Sequence, residues 1–253
     1  CRPRLDTRIG EYLLCKLDKR YGTAILPDVQ TVDMRLEMQN GNKGVISNLL
    51  YDYINDALLD KKQAILLLNR RGFNTYISCS KCGYIASCDA CSISMTYHSA
   101  NNRLMCHYCG KSVPYIHECP NCGNENVKYS GIGTQKAELE LQSLFPDAKI
   151  LRMDADSTMT RSDYENNLKA FAEGKFDILL GTQMVAKGLD FPNVTVVGVL
   201  NSDNSMHSSD FRSFERTFSL LTRVVGRSGR GKYKGTAVIQ TNEPESSLIS
   251  LAA

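Results

Sequence analysis

Apolar positions along the chain recur with a helical period in some stretches and as short unbroken runs in others, and they lapse over one region between. Leu49, Leu50, Tyr53, Ile54, Ala57 and Leu58 fall on one face of a 3.6-residue period. They predict a helix from about Ser47 to Leu59, with Ser47 or Asn48 as its cap. Residues 64–68, AILLL, read as a strand buried on both faces, as a parallel sheet requires. Upstream, residues 24–27 and 29–33 look extended, one because it precedes a proline and the other because it alternates. Downstream of Gly123 the pattern predicts helices over 134–144, 161–172 and 211–225, and strands over 149–153, 177–180, 194–200 and 236–240. Strands alternating with helices give an α/β fold, a doubly wound and mostly parallel sheet.

The lapse covers residues 78–123, and there cysteine takes over. Eight of the ten cysteines form four C-x-x-C pairs: Cys79/Cys82, Cys88/Cys91, Cys106/Cys109 and Cys119/Cys122. Two sulfurs three positions apart grip one metal from a tight turn, and eight thiolates suffice for two closed tetrahedral zinc sites. A disulfide framework fits poorly, because a 253-residue chain with 42% apolar residues can bury its own core. Residues 92–97 alternate, Asn101-Asn102 can turn, and residues 103–105 return, so a hairpin joins the second and third pairs as in a zinc ribbon. That spacing puts Cys88, Cys91, Cys106 and Cys109 on one zinc, and leaves Cys79, Cys82, Cys119 and Cys122 for the other. His98, His107 and His117 are then spare, although His107 sits inside a C-x-x-C loop and is a substitute ligand on paper. Tyr84, Tyr97, Tyr108 and Tyr115 either stack on bases or cover the metal core, and in small ribbons the second role is the commoner.

Charge narrows the roles further. The net charge is only +3, so no global field announces a nucleic-acid binder. Within the cysteine region Lys81, Arg103 and Lys111 oppose Asp89 and Glu118. With thiolates and zinc included the formal total is −3, so this is not a phosphate-tracking surface and a steric or protein-docking role is expected. No apolar run reaches membrane-spanning length, and metal-ready cysteines suit a cytoplasmic location. A chain opening on Cys1 and ending at Leu251-Ala-Ala reads as a fragment of a longer protein.

Two stretches carry motor-like chemistry. Gly181-Thr-Gln-Met-Val-Ala-Lys-Gly-Leu-Asp-Phe191 follows a strand, where open α/β sheets place ligands. Arg223-Val-Val-Gly-Arg-Ser-Gly-Arg230 sets two guanidinium groups on a glycine-hinged turn, within a 211–234 stretch holding seven Lys/Arg and one acidic residue. Planar guanidinium forks suit phosphate oxygens. A solvated basic helix end is the bland alternative, and the order of the two stretches argues against it.

These segments resemble motifs V and VI of superfamily 2 helicases. With Asn69-Arg-Arg-Gly-Phe73, the four C-x-x-C pairs just after it, and Gly131-Ile-Gly-Thr-Gln135, the chain resembles the PriA family of replication-restart helicases from about Pro27 to Pro244. The resemblance implies a RecA-like second helicase lobe with an inserted double zinc ribbon. Residues 1–60 are then a connector from a first lobe, 61–77 and 124–253 the lobe, and 78–123 the zinc insertion. It implies an ATP-dependent 3′-to-5′ DNA helicase that restarts stalled forks and initiates primosome assembly. The expected cofactors are two Zn²⁺, with ATP and Mg²⁺ in the full-length protein; the partners are forked and single-stranded DNA, primosome proteins and single-strand-binding proteins. Carried over residue by residue, Arg227 and Arg230 act as arginine fingers, and Gly188, Asp190 and Arg223 lie near nucleotide. Thr182, Gln183, Arg70 and Arg71 face DNA.

The chain departs from the family at Arg223, where Gln is usual, at Val225 and Ser228 (Ala), at Leu189 (His) and at Asn201 (Asp). No Walker A or acidic Mg²⁺-binding motif occurs, so this segment alone is expected to be inactive as an ATPase. A second reading is a non-catalytic zinc-ribbon module, binding protein or nucleic acid, on an inert α/β scaffold.

Overall fold

The computed structural model describes residues 27–68, 77–79, 81–98, 101–125, 127–129, 134–153, 161–182, 191–207, 212–229 and 233–252. Its main sheet has six strands: β1 (Asp28–Asp33), β2 (Gln63–Leu68), β8 (Ile150–Met153), β9 (Ile178–Gly181), β10 (Val194–Leu200) and β11 (Thr236–Thr241). Their order is β1-β11-β10-β2-β9-β8, and every neighbouring pair is parallel. Among the described residues, five further short strands lie between β2 and β8, within the cysteine region and its two ends.

All six residues of β2 are buried, which a central parallel strand with helices on both faces explains. Side chains alternate across the sheet. Ile65 and Leu67 join a core beneath the helices at 161–172, 213–225 and 247–252, while Ala64, Leu66 and Leu68 join the opposite core beneath the helices at 48–59 and 134–144. On β10 the alternation slips, since Val194 shares a core with Val197 and Val199. A register shift between Val194 and Val196 inserts the odd residue. The Asn48–Leu59 helix begins as expected: the Ser47 hydroxyl accepts a hydrogen bond from the Leu50 N–H, and Leu50, Ile54 and Ala57 face the core.

Within the expected 1–60 connector, residues 28–60 pack against the sheet. β1 runs along β11 over six paired positions, and the Asn48–Leu59 helix buries Leu50, Ile54 and Ala57 against the sheet. The segment's link to the lobe is buried: Gln240 on β11 accepts from the Ser47 N–H and donates to the Val45 carbonyl, while Glu140 accepts from the N–H groups of Val45 and Ile46. The helix at 247–252 was not expected, nor was the third strand of the zinc region described below.

The cysteine region enters from β2 and leaves into the Thr134–Leu144 helix. Its ends are tied by an antiparallel pair, β3 (Ile77–Cys79) with β7 (Val127–Tyr129). Inside, β4 (Thr96–His98), β5 (Arg103–Met105) and β6 (Ser112–Pro114) form an antiparallel sheet. The expected hairpin is present, with a first strand shorter than the 92–97 pattern suggested. No helix among the described residues is long and apolar enough to cross a membrane.

Candidate functional site

The metal centres are built from four tight turns. In three of them a glycine follows the second cysteine, and Gly83, Gly110 and Gly123 all take positive φ, which glycine adopts without steric cost. In the fourth, Ser92 holds φ at 54°. Backbone bonds repeat around these turns, from Gly83 N to Cys79 O, Ser92 N to Cys88 O, Gly110 N to Cys106 O and Gly123 N to Cys119 O. The turns then meet in two sets, Cys79/Cys82/Cys119/Cys122 and Cys88/Cys91/Cys106/Cys109. This is the nested arrangement expected from spacing. Within each set the ligand atoms lie within 4.8 Å of one another. Cys79–Cys122 and Cys82–Cys119 Sγ separations are 3.6 Å, and Cys88–Cys109 is 3.7 Å. A tetrahedral zinc with Zn–S of about 2.3 Å requires sulfurs about 3.8 Å apart, whereas a disulfide requires about 2.05 Å. Two zinc ions fit these donors, and all eight cysteines serve.

Around them Ile77, Ala86, Met95 and Leu104 form a small core with the buried cysteines, and Tyr84, Tyr97 and Tyr115 pack against it. These three tyrosines cover the metal core; Tyr108 is exposed. His107 takes no ligand position, and its Nε2 faces His98 instead.

The sulfur environments are unequal. Burial opposes ionisation of Cys79, yet donors from the Cys82 and Lys81 backbone and the Asn124 side chain outweigh it and bring the thiol down to about 6. Cys106 comes down to about 7, with burial again opposed by N–H groups of Cys109 and Tyr108. Desolvation and neighbouring sulfurs push Cys91 and Cys122 up to about 12. Zinc needs every ligand as thiolate, so protons leave on binding and acid favours the metal-free form. Zinc retention against a fixed chelator is therefore expected to fall with decreasing pH. The loss should steepen below about 7 for the Cys106 set and below about 6 for the Cys79 set, where a further proton must be expelled. Chelator titration across pH 5 to 8 checks this; retention independent of pH would contradict it.

The motor-like residues that are described fall on two edges of the sheet. Thr182 directly follows β9 at the carboxyl edge and is buried, its N–H bonded to the Met153 carbonyl. The Ser213–Val225 helix buries Ser213, Thr217, Leu221, Val224 and Val225, and it stops at Gly226. There the chain turns, with Arg227 N bonded to Val224 O and the Ser228 hydroxyl to Val225 O. Arg223 is exposed on the last helical turn, whereas Arg227 is buried and its charge is felt by the Tyr164 phenol. Burial nonetheless raises the Tyr164 pKa. Arg70, Arg71, Gln183, Gly188, Asp190 and Arg230 lie outside the described residues, as do residues 131–133 of the Gly131–Gln135 segment.

Two features of this site carry no local sequence signal. Gly235 precedes β11, and a Cβ there would lie 2.5 Å from Ser228 C and 2.7 Å from Gly229 Cα, and closer still to Gly229 N. The Arg227 turn is thus clamped at the amino edge of β11, opposite Thr182. Gly235→Ala must push this backbone aside. It is expected to destabilise the chain by about 1–3 kcal/mol and to displace the Arg227 turn. Urea unfolding of the variant, with chemical shifts followed at residues 226–229, would check it. The second feature is Asp203, buried after β10. Its carboxylate accepts from Thr241 Oγ1 and from the Asn242 N–H and side-chain amide, tying the ends of β10 and β11 together. Burial raises its pKa against those donors.

The zinc module rests on the carboxyl edge. The Ser94 hydroxyl donates to the His207 carbonyl, and His207 pairs with Glu243. A Cβ on Gly83 would lie 3.5 Å from the Arg35 guanidinium. Arg35 is held by Asp33 and, more distantly, Glu245.

Residues 88–114 match the family model described as the PriA DNA helicase Cys-rich region, and residues 131–232 match the helicase conserved C-terminal domain. The replication restart protein PriA of Bacillus subtilis is 48% identical over 242 residues, 96% of this chain and 30% of that protein. PriA of Synechocystis sp. is 39% identical over 238 residues, covering 92% of this chain and 29% of the relative. PriA of Chlamydia muridarum is 41% identical over 245 residues, covering 96% and 32% respectively. The chain spans about 30% of the length of these relatives.

Proposed function

We propose that this chain, a PriA-type sequence over nearly its whole length, is the second motor lobe and zinc module of an ATP-dependent 3′-to-5′ DNA helicase that restarts stalled forks and initiates primosome assembly. The observation that carries the reading is the conjunction of an all-parallel six-stranded lobe, an arginine turn clamped against β11, and two nested four-cysteine sets inserted directly after β2. An inert scaffold has no need of the first two together.

In this reading the lobe completes a nucleotide site whose phosphate-binding half lies on a first lobe. Arg227 and Arg230 reach the γ-phosphate and stabilise charge developing on the transferring phosphoryl group, with Mg²⁺ held by the other lobe. Gly188, Asp190 and Arg223 border the nucleotide. Thr182, Gln183, Arg70 and Arg71 serve the DNA strand, from the edge that also carries the zinc module. That module, with its formal negative charge, acts as a wedge or as a dock for primosome and single-strand-binding proteins. The substrates are forked and single-stranded DNA, and the protein works in the cytoplasm.

Comparing the isolated chain with a full-length protein containing it tests the assignment. The isolated chain should turn over no ATP with or without DNA, and the full-length protein should show DNA-stimulated turnover and 3′-to-5′ unwinding. ATP turnover by the isolated chain, or none by the full-length protein, would overturn it.

A further inference from the structure

With all eight cysteines assigned, the histidines of the zinc module stand apart. His98 Nε2 and His107 Nε2 are 3.1 Å apart, with ring planes inclined by 59° and centroids 5.1 Å apart. The rings therefore converge edge-on through their nitrogens and do not stack. Two lone pairs or two N–H groups at that separation repel, so the pair needs either one shared proton or one shared cation.

We propose that His98 and His107 form a third metal site, outside both four-cysteine sets, which takes a borderline divalent ion such as Ni²⁺ or Zn²⁺ through the two Nε2 atoms. Imidazole suits these ions. With metal–nitrogen bonds of about 2.0–2.1 Å, two ligands lie about 2.9 Å apart at a right angle and about 3.4 Å apart at the tetrahedral angle. The observed 3.1 Å falls between these limits.

Both rings are carried by backbone that is already fixed, which lowers the ordering cost of chelation. His98 is the last residue of β4 and pairs with Arg103 across the hairpin. His107 sits in the Cys106–Cys109 turn, closed by bonds from Gly110 N to Cys106 O and from Cys106 N to Lys111 O. The charges nearby permit a cation. Four thiolates around one zinc carry a formal −2 next to His107, Lys111 is paired with Asp89, and the Arg103 guanidinium is bonded to Ser112. His107 is exposed, so water or an external donor can fill the remaining coordination positions. An open site of this kind can be shared with a ligand from another molecule, unlike the two closed four-sulfur centres.

The test uses the chain with two zincs bound, titrated with Ni²⁺ by calorimetry while zinc retention is followed by elemental analysis. One equivalent of Ni²⁺ should bind without zinc release. His98→Gln and His107→Gln should each weaken it by roughly 10²-fold, the gain expected when a second ligand becomes intramolecular. His117→Gln should leave it unchanged. In the unaltered chain, paramagnetic broadening should centre on residues 98 and 107, a readout that needs no variant to fold. Ni²⁺ binding that survives both substitutions, broadening centred elsewhere, or affinity no better than that of either single variant would overturn the site and leave a proton as the shared species. None of these results bears on the helicase assignment.

Discussion

Arg227→Ala in the full-length protein is expected to lower DNA-stimulated ATP hydrolysis by about three orders of magnitude, with DNA affinity little changed. An arginine finger acts on charge that develops only during phosphoryl transfer, so its loss falls on turnover and spares ground-state binding. Under the proposed function, the fold holds the turn that carries this group. The Ser213–Val225 helix is fixed through five buried side chains, its end is bonded back at Gly226 and Arg227, and Gly235 presses on the following backbone. Because Arg227 is buried, truncation also removes packing, and the thermal transition must be measured alongside. Arg227→Lys separates the two effects: it keeps a long charged stem and loses the planar fork, so it should fold well and remain severely slowed. A well-folded Arg227→Lys within tenfold of the parent would remove Arg227 from the chemistry.

The second large effect concerns the metals. Cys106→Ser is expected to cost one of the two zincs and to unfold the β4–β6 sheet, leaving the Cys79/Cys82/Cys119/Cys122 site loaded. Structural zinc contributes about 10–16 kcal/mol of apparent binding energy in small domains, far more than the local apolar core can replace. Here four of the eight buried members of that core are themselves cysteines. Cys106 is wholly buried and directly follows β5, so its loss frees the strand from the knuckle. The outer site should persist because it is also held by the β3–β7 pair and by its own knuckle bonds. Elemental analysis giving one zinc per chain, with loss of chemical-shift dispersion confined to residues 88–114, is the expected outcome. Two zincs retained by the variant would show that the inner set is not a four-sulfur site.

Much of this was legible in order along the chain. The Ser47 cap and the Leu50, Ile54 and Ala57 face of its helix follow from local spacing, and so does the unbroken burial of β2. The nested cysteine sets followed from the hairpin between Cys91 and Cys106. Where the reading fell short, the missing information was a partner distant in sequence. Nothing local in Asp28–Asp33 says that it will extend the sheet beside β11, 208 positions later. Gly235 looks like any loop glycine until Gly229 is found against it. The histidines were visibly spare, but only the fold turned two of them toward each other.

The sequence by itself determined the elements and the metal chemistry, because helical period, strand burial and C-x-x-C turns are properties of a few consecutive residues. Tertiary structure decided how those pieces face one another: which edge carries Thr182 and which the Arg227 turn, that Ser94 rests on the His207 carbonyl, and that His98 meets His107. Such contacts arise from packing already formed elements at close range, and neither partner's immediate neighbours encode the other.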